Sequence, residues 1–502
     1  VYLVKNIYLV AMNNQIYKYT YRSQRDLACR MMQYYMGLPY IRLREQNSSD
    51  LIRNITADSN RCFVVILNLL QMTSELLISG VLVVYLVITD PVITILVVVI
   101  MCISMFLVLK FVKKKVSVLG QKDRYFEAQM NKCVLEAFGG VKEVKITHSE
   151  KFFMDDYYYK STRYAELHRK CDVLGIIPKQ VMEVVTIGSL MVSLTIRLLM
   201  GADPSTFIPI VSVFAVAAFR LLPSVNKIAS YINSIAFHLA SFNAIYESID
   251  EMREGNEEYI ENTENKPAVT LNDRFELKNL SFHYPDSDKN VIDGIDLILK
   301  KNESIAFIGP SGAGKTTLAD IILGVLAPQG GQMLVDGESI NDNIYNWQKR
   351  LGYIPQSIFL FDDNIRKNIA FGIPEDEIDD GMVWKALEEA QLKSFVEELP
   401  EGLETRIGER GARLSGGQKQ RIGIARALYY NPDILVLDEA TSALDNETEK
   451  AVMESIEKLQ GSKTMIIIAH RLTTVQHCDN IYEVKDGKVI HKDKEEIFGK
   501  KA

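Results

Sequence analysis

The chain has 502 residues, 47% hydrophobic and 24% charged, with a net charge of −7. Its length suits two or more domains, and its acidity gives no basis for nucleic-acid binding. Six cysteines (Cys29, Cys62, Cys102, Cys133, Cys171 and Cys478) are scattered without a Cys-x-x-Cys pair, which argues against a disulfide framework or a zinc site. The averages hide a shift: long apolar runs fill the first half, whereas the second half reads as a soluble α/β domain.

The apolar run 1–12 has neither a basic flank nor a small-residue cleavage site, so it is not a signal peptide. It reads as part of a membrane helix, with the expectation that a first span is missing before it. The helical pattern continues through Tyr34 and turns basic at Lys18, Arg22, Arg25 and Arg30; Gly37 and Pro39 break it. Candidate spans follow at 62–88, 91–112, 175–200 and 206–219, the last continuing as a helix towards Tyr246. The longer ones match the roughly 20 apolar residues that cross ~30 Å of hydrocarbon. Runs such as Val92-Ile93-Thr94-Ile95-Leu96-Val97 favour membrane helices over buried core helices.

Two short turns, Thr89-Asp90-Pro91 and Gly201-Ala202-Asp203-Pro204, carry no basic residue. The two long connections are rich in Lys and Arg, among them Arg42, Arg44, Arg53, Arg61, Lys113, Lys114, Lys115, Lys142 and Lys145. The positive-inside rule therefore puts the long connections, and the second half of the chain, in the cytoplasm. Glu75, Lys179, Glu183 and Arg220 fall within candidate spans, where a charge costs a few kcal/mol. They are expected to face a cavity or a partner. A polar translocation path is one reading, with Arg220 its best candidate; pairing within the bundle is the other.

The acidic stretch 251–268 reads as a linker between a membrane domain (1–250) and a second domain (269–502). In the latter, short strands alternate with helices in the rhythm of a mainly parallel sheet. The predicted fold is thus an all-α transmembrane bundle followed by an α/β P-loop NTPase domain. Its centre is Gly309-Pro310-Ser311-Gly312-Ala313-Gly314-Lys315-Thr316-Thr317, between an apolar strand at 304–308 and a helix. This spacing cradles phosphates: glycines allow close backbone approach, and N–H groups at a helix start face the anion. Lys315 supplies a charge to the β- and γ-phosphates, and the Thr316 hydroxyl is a ligand for Mg²⁺. A glycine-rich turn before an ordinary helix is the bland alternative.

The companions argue against that alternative. Ile434-Leu435-Val436-Leu437-Asp438-Glu439 is an apolar strand that delivers two acids to the ligand-binding edge of a parallel sheet. Asp438 is placed for the Mg²⁺ shell and Glu439 for polarising an attacking water. A second apolar strand ends at His470. Ser415, ahead of Gly416-Gly417-Gln418, caps a further helix and opens a second anion site. Two such helix ends in one domain make sense if two domains pair head to tail around each ATP.

Together these residues resemble the nucleotide-binding domain of an ABC transporter. Phe282-His283-Tyr284-Pro285 is similar to the adenine-stacking loop, with Tyr284 as platform. Gln356 matches the Q-loop and its Mg²⁺ contact, and Ser442-Ala443-Leu444-Asp445 the D-loop. The segment Thr405-Arg406-Ile407-Gly408-Glu409-Arg410-Gly411 resembles the exporter X-loop, with Arg406 where that motif has Glu. The architecture resembles exporter-type half-transporters, with four full spans and a partial one present. Coupling helices would fall near 37–46 and 139–147. The segment 219–227 with 136–144 is similar to bacterial flippases of lipid-linked oligosaccharides.

The resemblance implies a homodimer in the bacterial inner membrane that binds ATP and Mg²⁺ between two chains. Lys315, Thr316, Gln356 and Tyr284 of one chain and Ser415 and Gly417 of the other would hold each nucleotide. Glu439 would activate water and His470 contact the γ-phosphate. The expected substrate is a lipid-linked oligosaccharide or related lipid; a drug or peptide exporter of the same build is the alternative, and an ATP-gated membrane regulator a third reading.

Overall fold

A computed structural model describes residues 2–199, 204–255, 266–287, 289–439, 446–469 and 475–498. The chain divides into two compact units, one of residues 1–38 and 42–256, the other of 39–41 and 257–502. Asp203, Asp445, His470 and most of the linker lie outside the described residues.

The first unit is helical: α1 (Tyr2–Gly37), α2 (Tyr40–Glu45), α3 (Ser48–Arg53), α4 (Ser59–Thr89), α5 (Pro91–Gly139), α6 (Val141–Ile146), α7 (Glu150–Leu199) and α8 (Pro204–Gly255). Among the described residues three stretches are long and apolar enough to cross a membrane: Ser48–Thr89, Pro91–Gly139 and Ser212–Met252. The expected span at 175–200 sits in the second half of α7 and is not one of these three. It carries Lys179, Glu183 and Arg197, and its end at Met200 lies outside the described residues. The helices also run well beyond the expected spans. Hydropathy marks only the stretch that fits hydrocarbon, whereas backbone hydrogen bonding carries the same helix on into water.

Asp90 makes the turn between α4 and α5. It leaves helical geometry at φ −151°, its Oδ1 accepts from Val92 N (3.0 Å) and Ile93 N (3.2 Å), and Pro91 occupies the first helical position. Capping acid and helix-starting proline thus satisfy the end of a hairpin one residue wide. Leu86, Ile93, Val97 and Met101 then pack with Met182, Phe214 and Leu221. Lower down, α5 approaches α8 so closely at Gly120 that a Cβ there would stand 1.9 Å from Phe237 O.

Ionic contacts bind the ends of these helices. Asp58, in a π-helical turn (Asn54–Asp58), is fully buried; its Oδ2 accepts from Arg53 Nε (3.2 Å) and Arg124 Nε (3.0 Å). Arg61 bridges Asp123 and Glu127, each at 3.1 Å.

The second unit holds two sheets. One is antiparallel, in the order β2 (Ile292–Lys300), β1 (Arg274–Phe282), β4 (Gly330–Val335), β5 (Glu338–Ser339). The other runs β10 (Lys488–Lys492), β9 (Asn480–Lys485), β3 (Ser304–Ile308), β8 (Thr464–Ile468), β7 (Ile434–Asp438), β6 (Leu351–Ile354), parallel from β9 to β6. Its central strands β3, β8 and β7 are buried almost throughout and mostly apolar because both faces are covered. Ile305, Phe307, Ile434, Val436 and Ile466 pack towards the antiparallel sheet and the helix Lys315–Ile322. Their neighbours Ala306, Leu435, Leu437, Met465 and Ile467 pack towards the helices Asp380–Glu389, Gly416–Leu428 and Asn446–Glu457. Each such side chain is worth about 1.5–3 kcal/mol of burial, so the C-terminal edge of this sheet is a rigid platform.

Candidate nucleotide site

At the end of buried β3 the chain makes a loop whose glycines are demanded by geometry. Gly309 has φ +142°, and a Cβ there would meet Val484 O at 2.3 Å. Gly314 has φ +100°, and a Cβ there would stand 3.1 Å from Val291. Both conformations are open to glycine and strained for other residues. Lys315 is buried, and its Nζ donates to Gly309 O (2.9 Å) and Pro310 O (3.0 Å), so the ammonium lies inside the curl of the loop. Burial lowers its pKa, against the upward pull of Glu439 and Asp438, two carboxylates close enough to act on it. Thr316 is exposed at the helix start. The hydroxyl of Tyr284 lies 3.1 Å from Thr317 Oγ1, and its ring meets Phe282 edge-on.

The acids arrive two strands away. Asp438 ends β7 and is buried; Glu439 follows with φ +47°, its N–H donating to Ile468 O at 3.0 Å. Left-handed backbone at a glutamate is uncommon and turns the side chain out of the strand's alternation. Its Oε2 accepts from Gln356 Nε2 at 2.6 Å. The register explains the meeting: β6 runs parallel to β7 with Ile354 opposite Leu437, so Gln356 and Glu439 stand at matching positions two residues on. The structure thus brings together Tyr284, the loop, Lys315, Gln356, Asp438 and Glu439 at one end of this unit.

Ser415 forms a complete capping box. Gln418 N donates to Ser415 Oγ (3.3 Å), and Ser415 N donates to Gln418 Oε1 (2.8 Å). Gln418 therefore builds the helix start, while Ser415 and Gly416 are exposed at it. A residue that motif reading missed anchors this helix. Arg426 donates to Phe359 O and Asn368 O, both at 2.8 Å, and covers the Phe371 ring at 4.6 Å. Burial lowers its pKa to about 10. It ties the helix to the segment that follows Gln356; only three-dimensional proximity reveals this. Arg406 lies in a short bridge with Asn364.

In the helical unit, α1, α4 and α8 line a half-open cavity of about 660 Å³, with Asn13, Gln71, Glu75, Arg220, Lys227 and Tyr231 among its walls. Lys227 Nζ donates to Glu75 Oε1 at 2.6 Å. Arg220 and Glu75 thus share one polar wall. Lys179 and Glu183 are exposed on α7 and do not line it. Lys227 was legible in principle: seven residues after Arg220, it falls on the same helix face.

Residues 292–442 match the family model described as ABC transporter. The chain is 44% identical over 218 residues to "ABC transporter BEA3" of Gibberella fujikuroi, covering 43% of this chain and 17% of that protein. It is 33% identical over 358 residues to "ATP-dependent lipid A-core flippase" of Cupriavidus pinatubonensis, covering 71% of this chain and 60% of that one. The chain therefore spans less than two thirds of the length of either relative. A bacterial Atm1-family ABC exporter with ATP bound superposes with a TM-score of 0.81 at 23% identity, over 97% of this chain and 86% of the other.

Proposed function

From the premise that this chain joins an ABC transporter domain to a helical unit in an ABC exporter fold, we propose that it is one half of an ATP-driven exporter that flips a lipid-linked glycan or related lipid across the bacterial inner membrane. The observation that carries the ATPase reading is the convergence at one sheet edge of Lys315, Asp438 and the hydrogen-bonded pair Gln356–Glu439. A buried cation inside a glycine curl binds phosphate oxygens. The glycine cradle and the hard oxygen donors Thr316, Gln356 and Asp438 fit Mg²⁺, which would neutralise charge on the phosphates.

The chain's own groups carry the rest. Backbone N–H groups from Gly312 to Thr317 and the side chain of Lys315 orient the phosphate chain. Tyr284 offers a stacking face to the base. Glu439, whose carboxylate is held by Gln356, accepts the proton of an attacking water. His470 and Asp445 are assigned to the γ-phosphate contact and the domain interface by their places in the sequence. Ser415 and Gly417 open the helix that serves the nucleotide of a second, identical chain, so each site is completed on dimerisation.

The lipid assignment is supported by the polar cavity with Arg220 and by the likeness to lipid A-core flippases. A guanidinium in such a cavity suits a phosphate-linked head group. The test is ATP hydrolysis by the purified protein in nanodiscs, with and without a polyprenyl-pyrophosphate oligosaccharide. The reading expects stimulation by the glycolipid that is reduced in Arg220→Ala. Turnover indifferent to glycolipid but raised by amphipathic drugs would replace it with a multidrug-type exporter.

A further inference from the structure

We propose that the lysines of α5 form a binding surface for anionic phospholipid head groups of the surrounding bilayer. Lys110, Lys113, Lys114 and Lys115 are all exposed. Among the described residues none of them forms an ion pair. Phe106, Lys110 and Lys114 recur every four residues, so they form one stripe along the helix. On its other side Val112 and Val116 are buried with Ala236 and Phe237 in the bundle. The lysine stripe therefore faces outward.

Depth sets the chemistry. Ile103, Phe106, Leu107 and Phe111 are exposed on the same helix, Phe106 at 66% and Phe111 at 71%, as a lipid-facing surface requires. From Pro91 to Lys110 an α-helix rises about 29 Å, close to the ~30 Å hydrocarbon thickness. The helix changes from apolar to basic within one turn at this depth. Lys110 can extend its ammonium to the interface, and the next three lysines fall among the head groups. Phe111, exposed between them, keeps apolar surface at the edge of the hydrocarbon. A basic run that only fixes topology needs neither a shared depth nor an outward face. Free lysines just beyond a span attract anionic lipid by roughly fivefold in affinity per residue.

This surface is separate from the nucleotide site and from the cavity around Arg220, and its test does not read ATP turnover. The purified full-length chain in neutral detergent is titrated with fluorescent phosphatidylglycerol and, separately, with phosphatidylcholine of the same acyl chains. The parent protein is expected to prefer phosphatidylglycerol, and the preference should shrink as salt rises from about 0.05 to about 0.5 M. The variant K110Q/K113Q/K114Q/K115Q should lose at least about tenfold in phosphatidylglycerol affinity while keeping that for phosphatidylcholine. K110R/K113R/K114R/K115R, which keeps the charge, should retain the parent's preference. Equal affinity of the parent for the two lipids overturns the proposal, and that comparison stands even if the glutamine variant fails to insert. Retention of the preference by a folded glutamine variant overturns it as well.

Discussion

Gln356 Nε2 donates to Glu439 Oε2 at 2.6 Å, joining two residues 83 positions apart through the register of adjacent parallel strands. The contact aims a carboxylate that already departs from strand geometry at φ +47°. If Glu439 is the base, Glu439→Gln lowers kcat by about a hundredfold or more while ATP still binds. Gln356→Ala, which frees the carboxylate, lowers kcat by about tenfold with a smaller change in nucleotide affinity. Steady-state hydrolysis with equilibrium ATP binding checks both. Near-parent turnover of Glu439→Gln removes the assigned base.

Lys315 gives a pH dependence. Its buried ammonium has a pKa below the ordinary lysine value of 10.5, since desolvation outweighs the pull of Glu439 and Asp438. A lysine depressed in the folded state favours unfolding while protonated, so its effect on stability improves as pH rises through the folded pKa. Phosphate binding runs the other way: it needs the charge and is lost over that interval. ATP affinity should therefore fall on the alkaline side below pH 10.5. Lys315→Arg, if it still binds, should hold its affinity to higher pH. Identical alkaline limbs for both proteins contradict this assignment.

The loop's glycines are predicted to be intolerant. Gly309→Ala places a Cβ 2.3 Å from Val484 O at a backbone angle few residues adopt. A cost of about 2 kcal/mol or more is expected. Thermal unfolding should show a midpoint several degrees lower, with loss of ATP binding. Gly312→Ala meets no neighbouring atom within 4 Å and should be milder, its penalty confined to φ +78°.

Asp58 is the corresponding point in the helical unit. Asp58→Ala leaves Arg53 and Arg124 facing a vacated buried position. Because Arg53 keeps its ion pair with Asp50 and Arg124 is partly exposed, the loss is expected to cost about 1–3 kcal/mol. The detergent-solubilised variant should unfold at distinctly lower temperature. An unchanged midpoint means the network contributes no net stability.

How much of this was legible in the sequence follows from the range of each signal. The phosphate loop is local: glycine spacing, strand and helix all lie between residues 304 and 322, so reading it needs no tertiary knowledge. The place of Asp438 at a strand end was readable because a short apolar run ending in acids, within an alternation of strands and helices, reads as a covered strand. The Gln356–Glu439 contact depends on which strands lie side by side, and the Arg426 anchor on how a helix packs against a distant segment. Spans were placed by hydropathy, which is silent about the helical extensions beyond the bilayer. The cavity salt bridge of Glu75 with Lys227 joins α4 to α8, and Lys227 carries no motif to mark it.

The most direct test of the whole account is ATP-dependent movement of a fluorescent lipid-linked oligosaccharide across the membrane of sealed proteoliposomes. The account predicts that ATP drives translocation by the parent chain and that Glu439→Gln, incorporated equally and still binding ATP, gives only the protein-free rate. Translocation at equal rates with and without ATP, or by Glu439→Gln at the parent's rate, would contradict it.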